Sequence, residues 1–433
     1  MNAKLKTFFS GIVAVSCAMI LSFGCSLPGG EDPFAGKTFE KVKLYDTSKI
    51  VVDQGSKTIN DFTAKSVVAN MKFGWNLGNT FDAIAGDEKT GRKDQPHNAG
   101  LNSETCWGQP KTTQAMIKLL KSSGVSTIRI PTSWSNHIID DNYTIDPQWM
   151  NRVKEVVDWS IAEGLYVILN DHHDNVAPGT LSYARGYCPN EADMDESQRF
   201  LYNVWSQIAT AFNGSYDEHL IFETINEPRL AGDEHEWGWD ANCDKCKKAM
   251  YLVNKYNQLC LDAIRETGGN NSKRIVMFPS YVASPDAAMT GFDKGIFTIP
   301  TDTATNKLAL SVHMYTPYPF AMQYPGEKTF TDSHKGTLDY YFNSLSSKFS
   351  IPVVIGEMGA TNKDNNDARK EWFDYYLKGV KSKGFAAVLW DNGNEKNAEN
   401  GSELYGYMNR NANPVAWYSS ATELISTAVS ARN

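Results

Sequence analysis

The stretch "HLIFETINEPRL" (residues 219–230) sets an apolar run against a polar exit. Leu220, Ile221 and Phe222 read as a buried strand, and Asn226, Glu227 and Pro228 follow it closely. A short apolar run bounded by polar and proline residues suits a strand of a parallel sheet. The same pattern recurs along the chain. "KFGWNLG" (72–78), "TIRIP" (127–131), "YVILND" (166–171), "LIFETIN" (220–226), "RIVMF" (274–278), "LALSVHMY" (308–315), "PVVIGE" (352–357) and "AAVLWD" (386–391) make eight strand candidates. Between them lie segments such as "TTQAMIKLLKSSG" (112–124), "PQWMNRVKEVVDWSIAEG" (147–164) and "DARKEWFDYYLKGVKSKG" (367–384). These place apolar residues at helical spacing and end in Gly, a common helix stop. Alternating strands and helices imply a parallel sheet with right-handed crossovers. Eight such units predict an α/β fold, a closed (β/α)₈ TIM barrel. The competing doubly wound open sheet would carry a Gly-rich phosphate loop, which this chain lacks.

Composition sets the outer limits. The 433 residues are 41% hydrophobic and 21% charged, as in a folded globular protein. Aromatic residues reach 12%, enough to fill a large core or to line a groove for flat ligands such as sugar rings. The net charge of −8, without a long basic run, argues against a nucleic-acid partner. "MNAKLK" followed by the apolar run to Cys25 reads as a secretory signal over residues 1–25. "SFGC" (22–25) resembles a bacterial lipoprotein cleavage site, with a lipid anchor at Cys25; free secretion is the alternative. Residues 26–57 hold Gly, Pro and charge with little periodicity and read as a linker, with one short strand near "KIVVD" (49–53). A single catalytic domain over 58–433 completes the division. The cysteines at 106, 188, 243, 246 and 260 have no deducible pairing. "CDKC" (243–246) lacks a second Cys/His pair at zinc spacing and reads as a local disulfide or two free thiols.

In a barrel of this kind the chemistry sits at the C-terminal ends of the strands. The residues there are Asn76, Asn79, Arg129, Asp171, His172, His173, Asn226, Glu227, His313, Tyr315, Glu357, Trp390 and Asp391. Core packing alone does not explain polar or aromatic groups at nearly every strand end. Glu227 after the fourth strand and Glu357 after the seventh face each other across the mouth. Two carboxylates in that relation are what glycoside hydrolysis requires: one protonated to release the leaving oxygen, the other ionised to attack.

The stretches "GWNLGNTFDA", "STIRIPTSW", "VILNDHHD", "TINEP", "SVHMYTPY", "VIGEMGA" and "VLWDNG" together resemble glycoside hydrolase family 5, most closely its subfamily 4 endoglucanase/xyloglucanase group. The resemblance runs over about residues 58–430 with its motifs in family order. It implies Glu227 as acid/base and Glu357 as nucleophile. It implies Asn226 on the 2-hydroxyl of the reacting sugar, Arg129 and Tyr315 on Glu357, and His313 beside Glu227. His172, His173 and a stacking Trp390 would contact substrate, with Asn76 and Trp107 as further ligand contacts. The implied reaction is retaining endo-β-1,4-glucan hydrolysis, with a carboxyl separation of about 5–5.5 Å. The partner is a β-glucan polysaccharide or oligosaccharide; cofactors and metals are not expected, and the chain reads as a monomer. Mannan or xylan is the alternative substrate. A metal-dependent barrel hydrolase built on "DHHD", His313 and the two glutamates, and a non-catalytic glycan-binding barrel, are the rival readings.

Overall fold

Eight parallel strands close into a barrel in chain order, β8 returning to β1. They are β1 (Phe73–Asn76), β2 (Thr127–Ile130), β3 (Tyr166–Asn170), β4 (Leu220–Glu223), β5 (Val276–Pro279), β6 (Leu308–His313), β7 (Val353–Met358) and β8 (Ala386–Leu389). Each lies within or overlaps its predicted segment. The structure is a computed structural model that describes residues 31–85, 99–181, 184–396 and 403–432. The predicted signal and Cys25 lie outside those residues, as does most of the loop between Ala85 and Ala99.

Side chains alternate between two cores, as strand geometry requires. Outward residues such as Ile128, Leu169, Phe222 and Val312 pack against the helices. Inward residues Ile168, Ile221, Met277, Ala309, Val354 and Val388 form a separate cluster with Ala64, Val67, Val68 and Met71. The last four belong to a helix, Ala64–Met71, that runs directly into β1 and seals the end of the barrel where the strands begin. Thr63 caps it by accepting from the Ser66 amide. With that end filled mainly by hydrocarbon, the charged inward positions gather at the other.

Residues 31–57 correct the linker reading: they run as a strap across the outer helices. Phe34 and Tyr45 are buried. The Leu44 amide donates to Asn203 Oδ1 at 2.7 Å, and Lys41 reaches Asp262 at 2.7 Å and Glu266 at 3.0 Å. "KIVVD" forms no strand, because its polar groups are satisfied elsewhere. The Asp53 amide donates to the Thr210 carbonyl, and the Asp53 carboxylate accepts from the amides of Asn213 and Ser215. Low periodicity concealed this attachment, since a strap needs only scattered anchors. Burying Phe34 alone is worth about 2 kcal/mol. Deleting residues 31–57 is therefore expected to lower the thermal midpoint by several degrees while leaving kcat unchanged, as read by calorimetry and initial rates.

Candidate active site

Arg129, the inward residue near the end of β2, is fully buried at the centre of the mouth. Its Nε donates to Glu223 Oε2 at 2.8 Å and its Nη2 to Asn226 Oδ1 at 2.6 Å. Its Nη1 donates to Asn76 Oδ1 at 3.0 Å and to Glu357 Oε1 at 2.9 Å. Burial works against this cation, but Glu223 and Glu357 more than compensate and hold it firmly charged. Glu223 also accepts from Asn170 Nδ2 at 3.0 Å and Ser311 Oγ at 2.5 Å. Beneath the mouth, then, lies a planar cation clamped between two carboxylates, with each polar neighbour oriented by it.

Glu357 reaches this network through an irregularity in the sheet. Val354 points inward, and strict alternation would place Gly356 inward and Glu357 outward. The register between β6 and β7 shifts so that His313 pairs with Glu357 rather than with Gly356. Such bulges re-aim side chains beside functional sites. Gly356 fits there because a Cβ would stand only 3.2 Å from Ser311 Oγ and 3.3 Å from His313 Nε2. Glu357 then receives the Tyr315 hydroxyl at 2.8 Å on its second oxygen.

Glu227 follows β4 by four residues, and its Oε1 lies 2.6 Å from His313 Nδ1. The same nitrogen is 3.6 Å from Glu357 Oε2. An oxygen of Glu227 and an oxygen of Glu357 lie within 4.8 Å of each other. Burial pushes Glu227 up, but its hydrogen bond to His313 and nearby positive charge outweigh this and leave it below the ordinary glutamate value. Burial pushes His313 down, but Glu357 and Glu227 outweigh this and raise it above the ordinary histidine value. The two directions agree: the contact favours positive charge on His313 and negative charge on Glu227. His172, 4.0 Å from Glu357 Oε1, is driven well below the histidine range by burial and neighbouring positive charge, and stays neutral.

The walls are aromatic. Trp390 lies parallel to the His172 ring, at 3° with centroids 5.8 Å apart. Gly78 permits this, because a Cβ there would sit 2.9 Å from the Trp390 ring. His173 faces Trp107 at 5.5 Å and lies 3.8 Å from Asp82, a carboxyl that burial pushes up to about 6. Trp107 is fixed by its indole N–H to the Ile84 carbonyl at 3.2 Å.

Asn76 corrects its expectation. It is fully buried, its amide donates to the Gly356 carbonyl at 3.0 Å, and its oxygen takes Arg129. It positions Arg129 and does not face a ligand. Asp171 lies near Tyr187 and Cys260, whose ionisation its charge opposes, so it belongs to the core behind β3. Glu223, Asn170 and Ser311 were missed by sequence reading. The available signal was alternation: with Ile221 inward, Glu223 must also point inward, toward Arg129. Of the loop tryptophans, Trp239 folds its loop by donating to the Cys246 carbonyl at 2.8 Å. Trp237 is 64% exposed, beneath the Arg229 guanidinium.

The sequence profile of the cellulase family, glycosyl hydrolase family 5, matches residues 92–396. The chain belongs to glycoside hydrolase family 5. It is 38% identical over 374 residues to endoglucanase B of Neocallimastix patriciarum, covering 84% of this chain and 71% of that protein. It is 39% identical over 363 residues to endoglucanase B of Ruminococcus albus, covering 82% and 78%. Among solved structures, a broad-specificity endoglucanase of subfamily 4 from Ruminococcus champanellensis, with bound cellotriose, superimposes with a TM-score of 0.74 at 39% identity over 86% of this chain and 99% of that one. A family 5 lichenase from Caldicellulosiruptor, with cellotetraose, gives 0.77 at 36% identity over 88% and 98%. Among family 5 enzymes this chain is a glycoside hydrolase of the subfamily 4 endoglucanase type, and the family works through a covalent retaining mechanism. In this chain Arg129 donates to Glu357, and His313 lies in hydrogen-bond contact with Glu227.

Proposed function

We propose that Glu227 is the acid/base and Glu357 the nucleophile of a retaining endo-β-1,4-glucanase. One observation carries this: an oxygen of Glu227 and an oxygen of Glu357 lie within 4.8 Å of each other, each carboxylate held by its own partners. Glu357 accepts hydrogen bonds from Arg129 and Tyr315, which hold it in place for attack. Glu227 shares a proton with His313. Oxygens this near support a direct displacement, since an inverting pair stands about 6.5 Å or more apart to admit a water. Glu357 attacks the anomeric carbon while the shared proton passes through Glu227 to the departing glycosidic oxygen. Glu227 then takes a proton from water as that water displaces Glu357, and configuration is retained. Asn226, oriented by Arg129, meets the 2-hydroxyl of the reacting sugar. Trp390 supplies the stacking floor, with His172, His173 and Trp107 along the same wall.

The leading substrate is a β-1,4-linked glucan backbone, as cellulose, mixed-linkage glucan or xyloglucan. The endoglucanase and lichenase relatives support it over mannan or xylan. The test is a product assay on carboxymethyl-cellulose, mixed-linkage glucan, xyloglucan, mannan and xylan, with Glu357→Ala as control. Release of oligosaccharides chiefly from mannan or xylan overturns the glucan assignment. The apolar leader and Cys25 support display at a bacterial cell surface or secretion, with the chain acting as a monomer; fractionation of the native host locates it.

The Glu227–His313 pair predicts a pH effect. His313 is raised, so the shared proton is retained to pH values above about 6.5 and lost as pH passes through that raised pKa. The basic limb of kcat/KM is therefore expected above that value. His313→Gln removes the proton store, and the limb should fall toward the carboxyl range, measured as a full pH–rate profile.

A further inference from the structure

The loop leaving β4 carries His235 to the start of the helix Asp244–Glu266, where Cys243 is the N-cap and Cys246 lies in the first turn. A ring nitrogen of His235 and the sulfurs of Cys243 and Cys246 all lie within 4.8 Å of one another. Nothing in glucan hydrolysis uses these groups. We propose that His235, Cys243 and Cys246 bind one Zn²⁺ ion through two thiolates and an imidazole, with water in the fourth position.

The donor set suits a borderline-soft cation. Zinc bonds of about 2.3 Å to sulfur and 2.0–2.1 Å to nitrogen place tetrahedral ligands somewhat under 4 Å apart, a small contraction of the observed cluster. The second ligand source absent from "CDKC" is upstream, in a His-x₇-Cys-x₂-Cys arrangement that spacing rules for zinc fingers overlook. His235 is prepared for the role. Its Nδ1 lies 3.2 Å from the Gly238 carbonyl. A carbonyl only accepts, so this contact suits the tautomer that leaves Nε2 to ligate; Glu234 Oε1 stands 3.9 Å from Nε2. Metal-ligating histidines are commonly oriented this way.

The backbone around the site is held without the ion. The His235 amide donates to Asp233 at 3.0 Å, and its carbonyl accepts the Tyr281 hydroxyl at 2.9 Å. Trp239 joins the loop to Cys246. His235 and Cys243 are half-buried while Cys246 is buried, which gives an ion a path from solvent. On binding, both thiols lose their protons to solvent as two Zn–S bonds form. The ion would cross-link the loop to the helix. That loop also holds Glu236, which pairs with Arg229 at 3.0 Å, and Trp237 beneath Arg229, so the cross-link stiffens the rim next to Glu227.

This proposal does not depend on the catalytic assignments, and binding is read directly. The reduced full chain, freed of metal, is titrated with Co²⁺ and then Zn²⁺. One Co²⁺ per chain with a near-ultraviolet thiolate-to-cobalt charge-transfer band, bleached by one equivalent of Zn²⁺, is the expected result. Cys243→Ser and His235→Gln, both at half-buried positions, should each weaken binding at least tenfold while the circular dichroism spectrum is unchanged. Absence of the thiolate band at saturating Co²⁺, a band that survives Cys243→Ser unchanged, or a Cys243–Cys246 disulfide that persists under thiol reductant overturns the site.

Discussion

Glu357→Ala is expected to lower kcat on a soluble β-glucan by roughly 10⁴- to 10⁶-fold, the loss seen when a covalent nucleophile is removed. The substitution takes away the group that attacks the anomeric carbon and leaves Arg129 Nη1 and the Tyr315 hydroxyl without their shared acceptor. A structural role for Glu357 also predicts reduced activity, so the deciding measurement is rescue. Azide is small enough to enter the vacated space and attack from the same side. It should restore turnover of an activated aryl glycoside and yield a glycosyl azide of inverted configuration. Glu227→Ala should behave differently. A dinitrophenyl leaving group needs no proton, so formation of the glycosyl-enzyme should persist on that substrate while glucan hydrolysis is lost. Azide should then speed release and give a product of retained configuration. If the two variants exchange these signatures, the assignments of acid and nucleophile are reversed.

Arg129→Leu is expected to destabilise the fold by about 3–5 kcal/mol, because it strands charge in a buried site. The side chain is fully buried and touches two carboxylates, Glu223 at 2.7 Å and Glu357 at 2.9 Å. Neither loses its need for a cation when the guanidinium is gone. Arg129→Lys should recover part of the stability and little of the activity. A single ammonium cannot serve Glu223, Glu357, Asn76 and Asn226 at once, as the planar fork does. Denaturant melts read stability, and kcat measured well below the melting range reads activity. If Arg129→Leu melts within 1 kcal/mol of the parent (about the worth of one ordinary hydrogen bond), the clamp contributes little.

How much of this was legible beforehand depended on the kind of interaction. Strand β4 was readable because Leu220, Ile221 and Phe222 are local and apolar, and polar residues follow at once. Glu227 and Glu357 were readable as a pair once eight strands implied a common mouth. The strap over 31–57 was not, because its anchors are single contacts such as Leu44 to Asn203, spread over an aperiodic stretch. Asn76 was placed at the mouth correctly but given the wrong partner. A strand-end amide looks the same in sequence whether it meets a sugar or an arginine. His235 stood too far before "CDKC" for spacing to join them, and only the path of the loop does so.

The sequence by itself determined the barrel and the order of its strands, and it singled out two strand-end carboxylates that the fold brings together, because hydrophobic periodicity and strand-end chemistry are written into neighbouring residues. Only the tertiary structure decided what those carboxylates touch. Arg129 and Glu223 are 94 residues apart, and Arg129 and Glu357 are 228 apart. The bulge at Gly356 that turns Glu357 inward arises from pairing between β6 and β7, not from either strand alone. Barrel closure brings these inward positions into one small volume sealed below by hydrocarbon. There the charges must satisfy one another, and their mutual orientation is set by packing that no local pattern records.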